Sequence, residues 1–217
     1  HAFYNEYKLD LTVESLLLKY LSEQEHIDLK KHYLDGAVSA VKISDYNLII
    51  KLNGQEAINL KDNEVLVVSN YSRVNSALAD YMKNENIINI EDKAYTIKNE
   101  FPIEENIKMA GDIEFFYLII PDNFNGSLQL ELTSFNVIYE DRYAEKSEEK
   151  FSNLFNNLDK DQYRDISPAL VIGSTWNQKQ DRENGTVALL VFLGLFLGLV
   201  FIISSAAIMA LQQLSDA

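Results

Sequence analysis

The groups from which this chain could build chemistry are 3 histidines, 33 carboxylates and 19 cationic side chains, with no cysteine at all. His26 and His32 lie in one Lys-containing stretch, but two metal ligands on one helical face need i,i+4 spacing and a third partner, so both read as surface histidines, and His1 stands at the start of the sequence. Asp159, Asp161 and Asp165 resemble the opening of a calcium loop. The place that needs glycine for the sharp turn is Arg164, however, and no bidentate Glu closes the loop, so a solvated acidic segment is the better reading. The adjacent carboxylates Glu104-Glu105 and Glu148-Glu149 read the same way in so acidic a chain. Neither GxxxxGK[ST] nor GxGxxG is present to cradle phosphates, and no GxSxG elbow presents a serine. The residues therefore predict no metal, no cofactor and no catalysis by this chain.

The elements that would position any site divide sharply by composition. A formal net charge of −14 makes the backbone of nucleic acid an unsuitable partner, because few counterions could be released. Absence of cysteine removes disulfides and thiolate sites together, and it fits an exported bacterial domain that does without disulfides. A mean hydropathy of −0.14 conceals one strongly apolar end. From Gly185 to Leu211 the sequence GTVALLVFLGLFLGLVFIISSAAIMAL carries no charge, long enough as a helix to cross about 30 Å of hydrocarbon. Every Lys and Arg and all acids but Asp216 precede this span, so residues 1–184 hold 19 basic against 32 acidic side chains, a net −13. Within the span Gly194 and Gly198 form a GxxxG pair, and Ser204 and Ser205 open a second small patch; both suit close helix packing in lipid. Trp176 is placed to anchor at the membrane interface. No basic stretch followed by an apolar run opens the sequence at His1, so a piece of a longer chain is expected.

Ahead of the span, Val13, Leu16, Leu17 and Leu21 predict a helix over 10–25, with Thr12 or Asp10 as its cap. Residues 38–69 read as short strands, NLIIKLNG, EAINL and EVLVVSN, with Asn53-Gly54 as a hairpin turn. Val74, Leu78, Tyr81 and Met82 share one face of a predicted helix over 71–84. IINIEDKAYTIKNEF, DIEFFYLIIPD and the alternation from Leu128 to Glu140 read as strands. Residues 140–160 form an amphipathic pattern on Phe151, Leu154, Phe155 and Leu158, and SPALVIGST reads as a further strand before Trp176. The fold class expected is α+β, a largely antiparallel sheet with several helices, followed by one C-terminal transmembrane helix.

The residues Gly194-Leu195-Phe196-Leu197-Gly198-Leu199-Val200-Phe201, Ile202-Ile203-Ser204-Ser205 and Ala210-Leu211-Gln212-Gln213-Leu214-Ser215-Asp216-Ala217 resemble the helix that follows the large extracellular loop in FtsX-like ABC transporter permeases, notably the bacitracin-export (BceB) type. That resemblance implies an extracellular domain over 1–184, a membrane helix over 185–212 and the start of a cytoplasmic segment over 213–217, in a multi-pass protein of the cell membrane. It further implies a separate cytoplasmic ABC ATPase, the remaining permease helices and a two-component sensor histidine kinase as partners. The implied ligands are peptide antibiotics or lipid-linked wall precursors, with no ligand-binding residue matched in this sequence. An FtsX-like regulator of wall hydrolases and a single-pass surface binding protein are the alternatives.

Overall fold

The computed structural model describes residues 1–30, 34–108, 114–139, 141–157 and 176–215. The chain falls into two units, His1–Leu154 and Phe155–Ala217. The first is built on a seven-stranded sheet of order β4-β5-β3-β6-β2-β1-β7, comprising β1 (Ala2–Thr12), β2 (Ala37–Lys42), β3 (Glu64–Val68), β4 (Ile87–Ile90), β5 (Lys93–Ile97), β6 (Tyr117–Ile120) and β7 (Leu128–Asn136). Four neighbouring pairs run antiparallel, β1 with β2, β1 with β7, β3 with β6 and β4 with β5, whereas β2 with β6 and β3 with β5 are parallel.

Helices cover both faces of the middle of this sheet, which is why EVLVV and YLII read as unbroken apolar runs rather than alternations. On one face α1 (Val13–Leu17) and α4 (Ser72–Asn84) bury Val13, Leu17, Val74 and Leu78 against Val38, Ala40, Val67, Leu118 and Ile120, with Leu29 of α2 (Glu23–Lys30) in the same core. On the other, α3 (Ile43–Leu52) packs Ile43, Tyr46, Ile49 and Ile50 onto Ala2, Tyr4, Val41, Leu66 and Ile119. The α4 helix buries the four residues its spacing nominated, together with Ala77. A 3₁₀ turn (Asp141–Tyr143) leads into α5 (Ala144–Asn157), at the place of the predicted amphipathic helix. The strand expected at SPALVIGST lies outside the described residues.

Three expectations fail. EAINL, read as a strand, belongs to no strand or helix and is tied down instead where Asn47 Oδ1 accepts from Ile58 N–H at 2.8 Å and Asn47 Nδ2 donates to Ile58 O at 2.9 Å. The other two fail for reasons of spacing and capping. LIIKL is not a strand. Ile43, Tyr46, Ile49 and Ile50 recur at helical spacing, and Gly54, at φ +76°, closes the helix where Gly54 N–H donates to Lys51 O and Gln55 N–H to Ile50 O. A left-handed glycine after asparagine serves a helix C-terminus as readily as a hairpin. Nor do residues 10–25 form one helix. The first of them belong to β1, which runs to Thr12; the Thr12 hydroxyl then accepts from Ser15 N–H as the cap of α1, and Ser22 and Glu25 exchange bonds to start α2 afresh.

In the second unit, α6 (Trp176–Ser215) is a continuous helix of 40 residues. Its segment Val187–Met209 has a mean hydropathy of 2.9 with none of it buried. At 1.5 Å per residue these 23 residues reach about 34 Å, enough to cross a bilayer. Among the described residues it is the one helix of that kind.

Candidate functional site

Polar groups converge in two places of the sheet domain, one on each face. On the α3 face the inward series of β1 runs Ala2, Tyr4, Glu6, Lys8, so the strand carries two charges toward the interior past the end of the apolar core. Glu6 is 2% exposed, and its Oε2 accepts from Lys108 Nζ at 3.0 Å and from Tyr117 Oη at 3.1 Å. Its Oε1 is buried with no hydrogen-bond partner. Lys8 Nζ donates to Ser39 Oγ at 2.7 Å and pairs with Glu114 at 3.3 Å, Ser39 Oγ donates to Glu114 at 3.0 Å, and Lys108 reaches Glu114 at 3.5 Å. Burial is the largest influence on Glu6 and raises its pKa above the ordinary carboxylate value, against the opposing pull of Lys108. Burial and the Glu6 charge likewise push the Tyr117 phenol far up, keeping it a donor.

A serine beside a lysine is one form of activated nucleophile. Here the Ser39 hydroxyl is 2% exposed and its proton is directed at Glu114, so a substrate carbonyl has no approach to it. What the cluster does is tie β1, β2, β6 and the segment around Lys108 together through charge-assisted bonds.

On the opposite face a half-open cleft of about 320 Å³ lies between α1, the end of α4 and the edge strand β4, lined by Leu11, Leu16, Tyr20, Tyr81 and Ile87, with Lys19 and Glu85 at its rim. Tyr20 and Tyr81 meet edge to face at 5.6 Å; Tyr20 Oη donates to Glu85 at 3.0 Å and Tyr81 Oη to Ile87 O at 2.6 Å. Asn86 and Glu91, on either side of β4, adopt positive φ of 48° and 53°. The Glu91 carboxylate accepts from Ser127 N–H at 2.7 Å, which fixes that turn and lowers its pKa.

The helix-packing and interface residues nominated from sequence all belong to α6. Gly194 and Gly198 lie one turn apart on α6, each with open space where a Cβ would stand. Ser204 Oγ donates to Val200 O at 2.8 Å, which satisfies the hydroxyl within its own helix, and Ser205 beside it is partly covered. Trp176 begins α6. His26 meets Glu14 at 3.3 Å, Glu105 accepts from Tyr46 Oη at 2.8 Å, and Glu104 accepts from Asn75; His32, Asp159, Asp161 and Asp165 lie outside the described residues. The buried cluster was missed because β1 was missed; recognising a strand at residues 2–8 would have put Glu6 and Lys8 in the same series as Ala2 and Tyr4. Comparison of the chain with protein-family models, with curated proteins and with solved structures finds no match in any of the three.

Proposed function

We propose that this chain is the extracellular domain and adjoining membrane helix of an ABC transporter permease of the FtsX-like kind, one that handles or senses peptide antibiotics or lipid-linked wall precursors. The observation that carries the reading is the uncharged span itself, 23 residues with a GxxxG pair and a second small patch, with every Lys and Arg of the chain lying before it. Small residues on such a helix favour a place among other membrane helices. ATP would be hydrolysed by a separate cytoplasmic subunit, whose motion shifts α6 and through it the domain, and a sensor histidine kinase would read the same movement.

The test deletes the sheet domain from the intact permease and keeps its helices. Loss of resistance to bacitracin or nisin, with the shortened protein still found in the membrane, is the expected result. Unchanged resistance overturns the reading, and capture of a wall hydrolase by the domain would replace it with regulation of that enzyme.

A further inference from the structure

The chain holds three Asn-Gly pairs, at 53–54, 125–126 and 184–185. Such a pair is intrinsically reactive, because the glycine nitrogen, unscreened by a Cβ, can attack the carboxamide carbon of the asparagine before it. The fold treats the three differently. Asn53-Gly54 closes α3, with Asn53 N–H donating to Ile50 O at 3.0 Å and Gly54 N–H to Lys51 O at 3.1 Å. Asn184-Gly185 lies inside α6, where the helix ladder takes each backbone N–H. Asn125-Gly126 belongs to neither helix nor strand. Asn125 is exposed, and among the described residues neither its carboxamide nor the Gly126 N–H has a hydrogen-bond partner. Packing imposes the glycine: a Cβ at position 126 would stand 2.6 Å from Phe124 Cε1, on a ring that stacks on the buried Tyr95 at 5.4 Å. Phe124 N–H donates to Pro121 O at 3.0 Å and Ser127 N–H to Glu91 at 2.7 Å, so the loop keeps its shape while the Gly126 N–H stays uncommitted.

We propose that Asn125 is a site of spontaneous deamidation in the folded protein, the pair of the three that the fold leaves reactive. Gly126 N gives up its proton to solvent base and bonds to Asn125 Cγ. The tetrahedral centre expels the carboxamide nitrogen, which takes a proton from solvent and departs as ammonia, and a succinimide remains. Water then opens that ring at either carbonyl to give aspartate or isoaspartate, with no oxidant or reductant required. Either product adds a carboxylate two residues from Ser127, whose N–H the Glu91 carboxylate holds, and the isoaspartyl form also lengthens the main chain just ahead of β7.

The test incubates the full chain in detergent at neutral and mildly alkaline pH, folded and, in parallel, unfolded in concentrated urea. Peptides released by digestion at acid pH are followed by mass spectrometry, with isoaspartate scored by fragmentation. In the folded chain the peptide holding Asn125 should convert at least several-fold faster than those holding Asn53 and Asn184, at a rate that climbs with pH as base-driven attack demands. In urea the rates at Asn125 and Asn53 should approach one another. Asn125→Gln should abolish the fast conversion and leave the other two pairs as they were. Conversion at Asn53 or Asn184 as fast as at Asn125 in the folded chain overturns the assignment, as does an Asn125 that stays amidated when folded and reacts only in urea. An unchanged ratio of Asn125 to Asn53 in urea overturns it as well, because flanking sequence then sets the rates and the fold does not.

Discussion

The two faces of the sheet solve the same packing problem with different materials. The face under α1 and α4 is closed by Val, Leu, Ile and Met side chains, and the Tyr81 hydroxyl there bonds a neutral carbonyl, Ile87 O. The face under α3 adds to a similar hydrocarbon layer a carboxylate that is 2% exposed, held by one lysine and one tyrosine. Hydrocarbon burial is indifferent to pH and forgiving of partners, whereas a buried charge is stable only while its counter-charge stays in place. The sheet should therefore have one face whose stability is constant with pH and one whose stability titrates.

The largest effect belongs to the hydrocarbon face. Leu78→Ala leaves a cavity beneath α4 and should lower unfolding free energy by about 4 kcal/mol, read as a fall in urea midpoint, by the same amount at neutral and mildly acid pH. Lys108→Met, on the other face, removes the counter-charge and should cost about 3 kcal/mol at neutral pH. Its cost must shrink in acid. The folded-state pKa of Glu6 is raised, so the native state binds more protons than the unfolded chain between the ordinary carboxylate value and the raised one, and stability falls as pH rises through that window. Without Lys108 the pKa climbs further, which widens the window upward. A Lys108→Met loss that stays constant from mildly acid to neutral pH would break the contrast between the faces. Tyr117→Phe sharpens it: removal of a donor to a charged acceptor should cost about 2 kcal/mol at neutral pH and less once Glu6 is protonated.

How far this was legible in the sequence follows the same division. The α4 helix could be read because Val74, Leu78, Tyr81 and Met82 keep an unbroken helical period against hydrocarbon. The β7 strand could be read because its sequence alternates along a sheet edge, and the span because it lacks charge over 23 residues. Strand β1 escaped because Glu6 and Lys8 occupy inward positions, which erases the binary pattern that a strand otherwise shows. The α3 helix escaped because ten residues followed by Asn-Gly satisfy hairpin and helix-end chemistry alike, and packing against the sheet decides between them. Of the candidate places, the polar cluster needed long-range pairing of residues 6, 39, 108, 114 and 117, which no local spacing announces.

The smallest effect is the most discriminating, because it matches Tyr117→Phe atom for atom on the other face. Tyr81→Phe removes a hydroxyl that donates 2.6 Å to Ile87 O, a neutral acceptor, and should cost about 1 kcal/mol. Burial first, then the charges of Glu85 and Tyr20, push the Tyr81 phenol up to about 12, so the group stays neutral through mildly acid and neutral pH and the cost there should not change. In alkali the sign reverses in its favour. Between the ordinary phenol value and about 12 the unfolded chain releases a proton that the folded one keeps, so the natural protein loses stability as pH rises and the variant loses less of it. Equal costs for Tyr81→Phe and Tyr117→Phe at neutral pH, with the same flat dependence in acid, would mean that Glu6 imposes no electrostatic demand on its face. Unequal costs, with only the Tyr117 variant recovering in acid, would locate the pH-sensitive part of the fold at the one buried carboxylate that β1 carries inward.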